Sequence, residues 1–224
     1  MNRVILSAST DETILAVTRQ HKLVDLEIEQ QINTEIVGCI YKGVVKNIVP
    51  AVDGIFVDIG IGKNAFLRRK DLLNEKRFPT EGSPILAQVI KSDTDMKGAL
   101  ITEKISMFGK YAVTLSGTGY IGVSKKIRQE SVRKRLKEIG KEICAEHMGL
   151  IIRTAAENAD MDEFRKDITR LKENWDIIQK RFRMEKSPTL LYRESDIIVK
   201  ALRDYVNKGT EILITDNRKI YERI

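Results

Sequence analysis

Disulfide frameworks, metal clusters and membrane spans find little support in this sequence. Its 224 residues hold two cysteines, Cys39 and Cys144, far apart and in no CxxC pair. That excludes a disulfide-stapled scaffold and a thiolate cluster, and leaves two buried or free thiols in a reducing compartment. The two histidines, His21 and His147, form no ligand pattern, so no metal held by this chain is expected. No uncharged apolar stretch approaches the roughly 20 residues of a membrane helix. Val4-Ile5-Leu6 is too short for a signal-peptide core and is followed by Asp11 and Glu12. A soluble, cytoplasmic protein with no membrane partner is expected. GxSxG, Walker and HExxH motifs are absent, as are low-complexity tracts and internal repeats.

What is present is charge on a β-rich frame. Charged residues make up 32% and hydrophobic residues 42% of the chain, and the formal net charge is +7 with a pI near 9.3. That balance favours a polyanionic partner, because phosphates attract lysine and arginine and release counterions.

Four stretches follow one another. Residues 1–35 alternate like a small antiparallel meander, with strands around Val4–Leu6, Thr13–Val17 and Leu23–Ile28. Three strands alone make a poor core, so partners from elsewhere in the chain are expected. Residues 36–105 read as five short strands with glycine at the bends, among them Gly43, Gly54, Gly60, Gly62 and Gly98. This suits a small closed barrel of the oligonucleotide-binding type. Residues 106–190 mix short strands with two helices. Ser131 is expected to cap the first, running to about Glu146. Met161, Phe164, Ile168, Leu171, Trp175, Ile178 and Phe182 form the apolar stripe of the second. Asp160, Asp162 and Glu163 at its start suit the helix dipole better than a metal. Residues 191–224 read as a helix capped by Ser195, with Ile198, Leu202 and Tyr205 on one face, then a strand over 211–215 ending at Asp216. The first and last stretches each look incomplete. Together they are expected to form one sheet, with the middle of the chain inserted.

Three constellations carry chemistry. Phe56 and Phe66 fall on adjacent strands about a glycine turn, and Lys97 sits at the next turn. Aromatic faces for stacking bases and a cation for phosphate are what a single-stranded RNA binder needs. For an isolated phenylalanine pair a core role is the commoner outcome; the glycine spacing favours the surface one. Arg153-Thr154, ending the apolar run Leu150-Ile151-Ile152, joins a planar guanidinium to a hydroxyl, as a terminal-phosphate pocket would. The plain alternative is a surface arginine beside a helix-capping threonine. Finally, residues 124–141 hold eight basic residues (Lys125, Lys126, Arg128, Arg133, Lys134, Arg135, Lys137, Lys141) against Glu130 and Glu138. That segment is either a solvated helix face or a phosphate-tracking patch.

The segment Tyr41-Lys42-Gly43 through Phe56-Val57-Asp58-Ile59-Gly60 to Ala65-Phe66-Leu67 resembles the S1 RNA-binding domain. With Lys97-Gly98-Ala99, Gly149-Leu150-Ile151-Ile152-Arg153-Thr154-Ala155 and Ser195 through Arg203-Asp204-Tyr205, the whole chain is similar to the ribonuclease E/G family. The resemblance implies an α+β chain in which an OB-fold S1 barrel and an α/β 5′-sensor are inserted in a split ribonuclease H-like subdomain. The divisions would be 1–35 and 191–224 for that subdomain, 36–105 for S1 and 106–190 for the sensor. It implies that Phe56, Phe66 and Lys97 hold RNA. Arg153 and Thr154, with Gly109 and Val113 lining the pocket, would hold a 5′-monophosphate. Lys125 stands near where the family has an arginine, which keeps the charge and loses the planar fork. The family's magnesium-binding catalytic aspartates, and the zinc-binding cysteines that join its subunits, lie in a later domain. A truncated chain, inactive alone, is therefore expected, with magnesium and homo-oligomerisation belonging to the full-length enzyme. The competing readings are a non-catalytic S1-domain RNA-binding regulator and a structural protein whose long helix packs a partner.

Overall fold

A computed structural model describes residues 2–10, 12–30, 36–93, 97–144, 148–193, 196–206, 210 and 212–224. In chain order the strands and helices are β1 Asn2–Ala8, β2 Glu12–Arg19, β3 Lys22–Gln30, β4 Ile40–Val49, β5 Gly54–Asp58, β6 Ala65–Arg68, β7 Pro84–Lys91, β8 Leu100–Thr102, β9 Ser106–Phe108, β10 Ala112–Ser116, β11 Ile121–Val123, α1 Glu130–Ile143, β12 Met148–Ile152, α2 Met161–Met184, β13 Thr189–Tyr192, α3 Ile197–Asp204, β14 Ile212–Thr215 and α4 Arg218–Arg223. The chain is α+β. It divides into two compact units, one of Met1–Glu35 with Ser195–Ile224 and one of Ile36–Glu194.

The first unit is a four-stranded sheet in the order β14-β1-β2-β3. The hairpins β1-β2 and β2-β3 are antiparallel, and β14 joins β1 in parallel. The two ends of the chain thus complete one sheet. Alternation puts Val4, Leu6, Leu15 and Val17 on the face covered by Ile197, Ile198 and Ala201 of α3 and Ile220 of α4. On α3 the buried positions include Ala201, whereas Leu202, expected on that face, is half-exposed. The expected cap Ser195 lies outside the described residues, and Asp196 caps α3 by accepting from Val199 N at 3.0 Å. Within Arg203-Asp204-Tyr205, Arg203 pairs with Asp204 at 3.0 Å and the Tyr205 hydroxyl donates to Asp25.

The second unit begins with a closed barrel. Its sheet runs β13-β4-β5-β6-β8-β7, and β4 also pairs with β7. Ile55, Val57, Leu67, Ala87 and Ile101 fill it with almost no exposure. β13 comes from far along the chain and adds to β4. Arg181 of α2 fixes it there, donating to the Leu190 and Leu191 carbonyls and pairing with Glu185. Beside it the Lys42 ammonium donates to the Glu185 carbonyl at 2.6 Å, at the end of α2 where a cation also suits the helix dipole.

A second sheet, β11-β12-β10-β9, packs one face on α1 and α2. Phe164, Ile168, Leu171 and Ile178 of the α2 stripe are buried there, and Trp175 and Phe182 are partly so. Asp160 caps α2, accepting from Asp162 N and Glu163 N. Ser131 does not cap α1. The helix starts two residues earlier, with Gln129 at the cap position and no side-chain cap bond, and it ends at Ile143. Glu146 lies outside the described residues, as do residues 94–96 of the turn before β8.

Asp216 yields a pH test of the first unit. Its carboxylate accepts from Ser7 Oγ at 2.5 Å and Ala8 N at 3.1 Å, and these bonds hold its pKa below the ordinary 3.8. The stabilisation is therefore complete above the ordinary value and fades as pH falls through the lowered one. Asp216→Asn is expected to shrink the fall in melting temperature between about pH 5 and pH 2. An unchanged fall means that the link between β14 and β1 does not depend on this charge.

Candidate nucleic-acid interface

Register decides where the two phenylalanines point. Neighbouring positions on β5 alternate between the barrel interior and its surface. Ile55 and Val57 are buried, and Phe56 between them is half-exposed. On β6, Ala65 and Leu67 are buried and Phe66 is half-exposed. Phe56 stands directly opposite Phe66 in the antiparallel pair, with ring centroids 5.4 Å apart and planes tilted by 50°. The row continues to Asn47 on β4 and Leu100 on β8. The result is a surface strip reading Asn47, Phe56, Phe66, Leu100 across four strands.

Gly54 makes room for it. A Cβ there would stand 2.2 Å from Phe66 Cε2, so the absence of a side chain lets the ring lie along β5. Lys97 is exposed in the bend before β8. Gly98 after it presses on β6, where an added Cβ would meet the Asn64 carbonyl oxygen at 1.9 Å. Phe66 N donates to the Ala99 carbonyl at 2.7 Å, which fixes that bend beside the strand carrying the ring.

The Arg153-Thr154 pair sits at the end of β12. Arg153 Nη1 donates to the Gly109 carbonyl at 2.8 Å, and its backbone N donates to the Tyr111 carbonyl at 2.8 Å. Thr154 is exposed, and its hydroxyl lies 3.0 Å from that of Ser124. Lys125 follows Ser124 and is exposed. Arg133 ties down this turn by donating to the Ser124 and Ile127 carbonyls at 2.7 and 2.9 Å. Val113, half-exposed on β10, faces Phe108 on one side and Ile151 on the other. The structure thus joins Arg153 to Gly109 directly, and Thr154 to the Ser124–Lys125 turn.

Behind Gly109 is Asp167, a buried carboxylate within the apolar stripe of α2. It accepts from Tyr111 N at 2.8 Å and Lys110 N at 3.2 Å, and pairs with Arg170 at 3.0 Å. A Cβ on Gly109 would stand 2.4 Å from its Oδ2, so only glycine lets the turn sit this close. The Tyr111 hydroxyl donates to Glu163 at 2.5 Å. Burial, then that bond and the neighbouring carboxylates, push the phenol pKa up to about 12, so it stays a donor. Sequence reasoning missed Asp167, Ser124 and Asn47. The signal for Asp167 was a lone carboxylate between Phe164 and Ile168 on the buried face.

The basic segment divides in two. Arg133 is spent on the turn, whereas Lys134, Lys137 and Lys141 are exposed on the side of α1 opposite buried Leu136 and Ile139. Among the described residues, no group of three His, Cys, Asp or Glu side chains is placed to hold a metal ion. No helix of the described residues is long and apolar enough to cross a membrane.

The barrel with its paired surface rings belongs to the S1 type, and residues 34–102 match the S1 RNA binding domain model. Residues 106–224 match the model of the Ribonuclease E/G family. Ribonuclease G of Escherichia coli K12 is 32% identical over 99% of this chain and 49% of its own length. Ribonuclease G of Haemophilus influenzae is 31% identical over 99% and 48%, and Ribonuclease E of Buchnera aphidicola subsp. Schizaphis graminum 31% over 99% and 25%. The chain belongs to the ribonuclease E/G family. It spans about half the length of the ribonuclease G relatives.

Asp167→Ala would strip the acceptor from two backbone amides, at an expected cost of about 1–3 kcal/mol for each left unpaired. The urea midpoint of Trp175 emission, which reports on the second unit alone, should fall accordingly. An unmoved midpoint means that the 109–111 turn is held by something other than this carboxylate.

Proposed function

We propose that this chain is the part of a ribonuclease E/G-type endoribonuclease that grips single-stranded RNA and senses a 5′-monophosphate. The observation that carries the reading is the half-exposed Phe56–Phe66 pair, set on the outside of an S1 barrel rather than in its core. Two bases can stack on these rings without sequence preference, because every base has a π-face. Lys97 supplies charge to the backbone between them, and Asn47 at the end of the row offers an amide to a base edge.

Arg153, Thr154 and Lys125 supply a guanidinium, a hydroxyl and an ammonium to a terminal phosphate. Gly109 and Val113 line its pocket. A lysine at 125 serves as a point charge where an arginine would grip two oxygens in a plane, so charge rather than fork geometry holds that side of the phosphate. The divisions 1–35 with 191–224, 36–105 and 106–190 serve in this reading as ribonuclease H-like, S1 and 5′-sensor regions. Cutting, with magnesium, and assembly into a homo-oligomer are assigned to the full-length protein, in RNA processing and decay in the cytoplasm.

Two sets of substitutions separate the parts. Phe56→Ala and Phe66→Ala should each weaken all single-stranded RNA binding by about 1–3 kcal/mol and leave the preference for a 5′-monophosphate over a 5′-hydroxyl unchanged. Arg153→Ala should instead collapse that preference. Fluorescence anisotropy with the two oligonucleotides measures both. Equal loss for both ends on changing Arg153 would remove the sensor, and unaltered affinity on changing either ring would remove the S1 grip.

A further inference from the structure

The outer face of the second sheet carries a row of exposed and half-exposed apolar side chains beside the Arg153–Thr154 pair. Phe108 on β9 stands opposite Val113 on β10, Val113 opposite Ile151 on β12, and Ile151 beside Gly122 on β11. Phe108 and Ile151 are 44% and 40% exposed, Phe108 at the end of the edge strand β9 and Ile151 within the paired strand β12. At Gly122 the Tyr120 ring replaces the missing side chain: an added Cβ there would stand 2.7 Å from Tyr120 Cε1. Tyr120 is itself 64% exposed. The row therefore begins and ends on an aromatic ring. Four strands at about 4.8 Å spacing give it a span of roughly 14 Å. The opposite face of the same sheet is the one buried under α1 and α2.

We infer that this row is a platform for the leading nucleobases of the RNA, running from the 5′ end inwards. The inference rests on the reading of Arg153 and Thr154 as the terminal-phosphate site and adds base subsites to it. Continuity with that site selects the occupant. Arg153 lies two residues beyond Ile151, just past the end of β12 in extended backbone, hence towards the same face. Its guanidinium donates to the carbonyl of Gly109, the residue after Phe108. A strand whose 5′-phosphate meets Arg153 and Thr154 thus lays its first base against Val113 and Phe108. The next bases fall towards Ile151 and Tyr120. Flat apolar contact bounded by two rings suits bases of any sequence. The lysines after Ser124 give the surrounding surface the charge that an RNA backbone needs.

The test uses the whole chain and 5′-monophosphorylated oligonucleotides in which nucleotide one, two or three is made abasic. Each removal should weaken binding to the parent protein about 5-fold or more, the low end of a stacked base. In a Phe108→Ala/Tyr120→Ala variant the intact oligonucleotide should bind more weakly. The abasic penalty should disappear, while the ratio of 5′-monophosphate to 5′-hydroxyl affinity stays. Both side chains are exposed, so the fold is expected to survive, and Trp175 emission checks it. An abasic penalty that is nil in the parent, or equal in parent and variant, overturns the platform alone. Absence of any 5′-monophosphate preference in the parent overturns the phosphate reading beneath it. If the variant instead changes only the sedimentation of the chain, the face is covered by a second copy and not by RNA.

Discussion

The Asp167 carboxylate, buried in the apolar stripe of α2, holds the 109–111 turn through two backbone amides. The proposed phosphate side of the site depends on that grip. The turn presents the Gly109 carbonyl that receives Arg153, and it directly follows Phe108 on the edge strand of the second sheet. A charge on a buried helix face is costly unless fully paired, and here two amides and Arg170 pair it. The apolar packing of α2 and the polar geometry of the site are thus one arrangement, joined at a single side chain.

The barrel obeys a different constraint. Strand alternation sends Ile55, Val57, Ala65 and Leu67 inward and leaves Phe56 and Phe66 outside, and register then sets the two rings side by side, tilted by 50°, across β5 and β6. Gly54 and Gly98 are the concessions that this surface demands, one beneath a ring and one against the Asn64 carbonyl. The rings, Lys97 and the Arg153 turn belong to one compact unit, in which β13 ties the end of α2 back to the barrel. A strand gripped by its bases at one place and its end at another would be held in a defined direction.

Much of this was legible in the sequence because it follows from period and punctuation. The alternation of β1 to β3, the glycine-marked barrel strands and the three-four stripe of α2 each dictate one local structure. The incomplete ends pointed to a shared sheet, and β14 does pair with β1. What escaped reading depends on neighbours far along the chain. Asp167 looks like any helical aspartate until the 109–111 turn lies against it. Asn47 and Ser124 acquire partners only through register and the packing of Arg133. The start of α1 escaped because no side chain caps it, so Ser131 was the residue that looked like a cap. The outer row of Phe108, Val113, Ile151 and Tyr120 joins four strands that are neighbours only in space.

The most direct test of the account is a single NMR titration of the chain with a short 5′-monophosphorylated RNA, following the Phe56 and Phe66 ring resonances and the Arg153 guanidinium together. The account predicts that all three shift with one binding isotherm, and that a 5′-hydroxyl RNA moves the rings but leaves Arg153 nearly still. Rings that stay unperturbed while RNA binds elsewhere, or an Arg153 signal indifferent to the terminal phosphate, would contradict it.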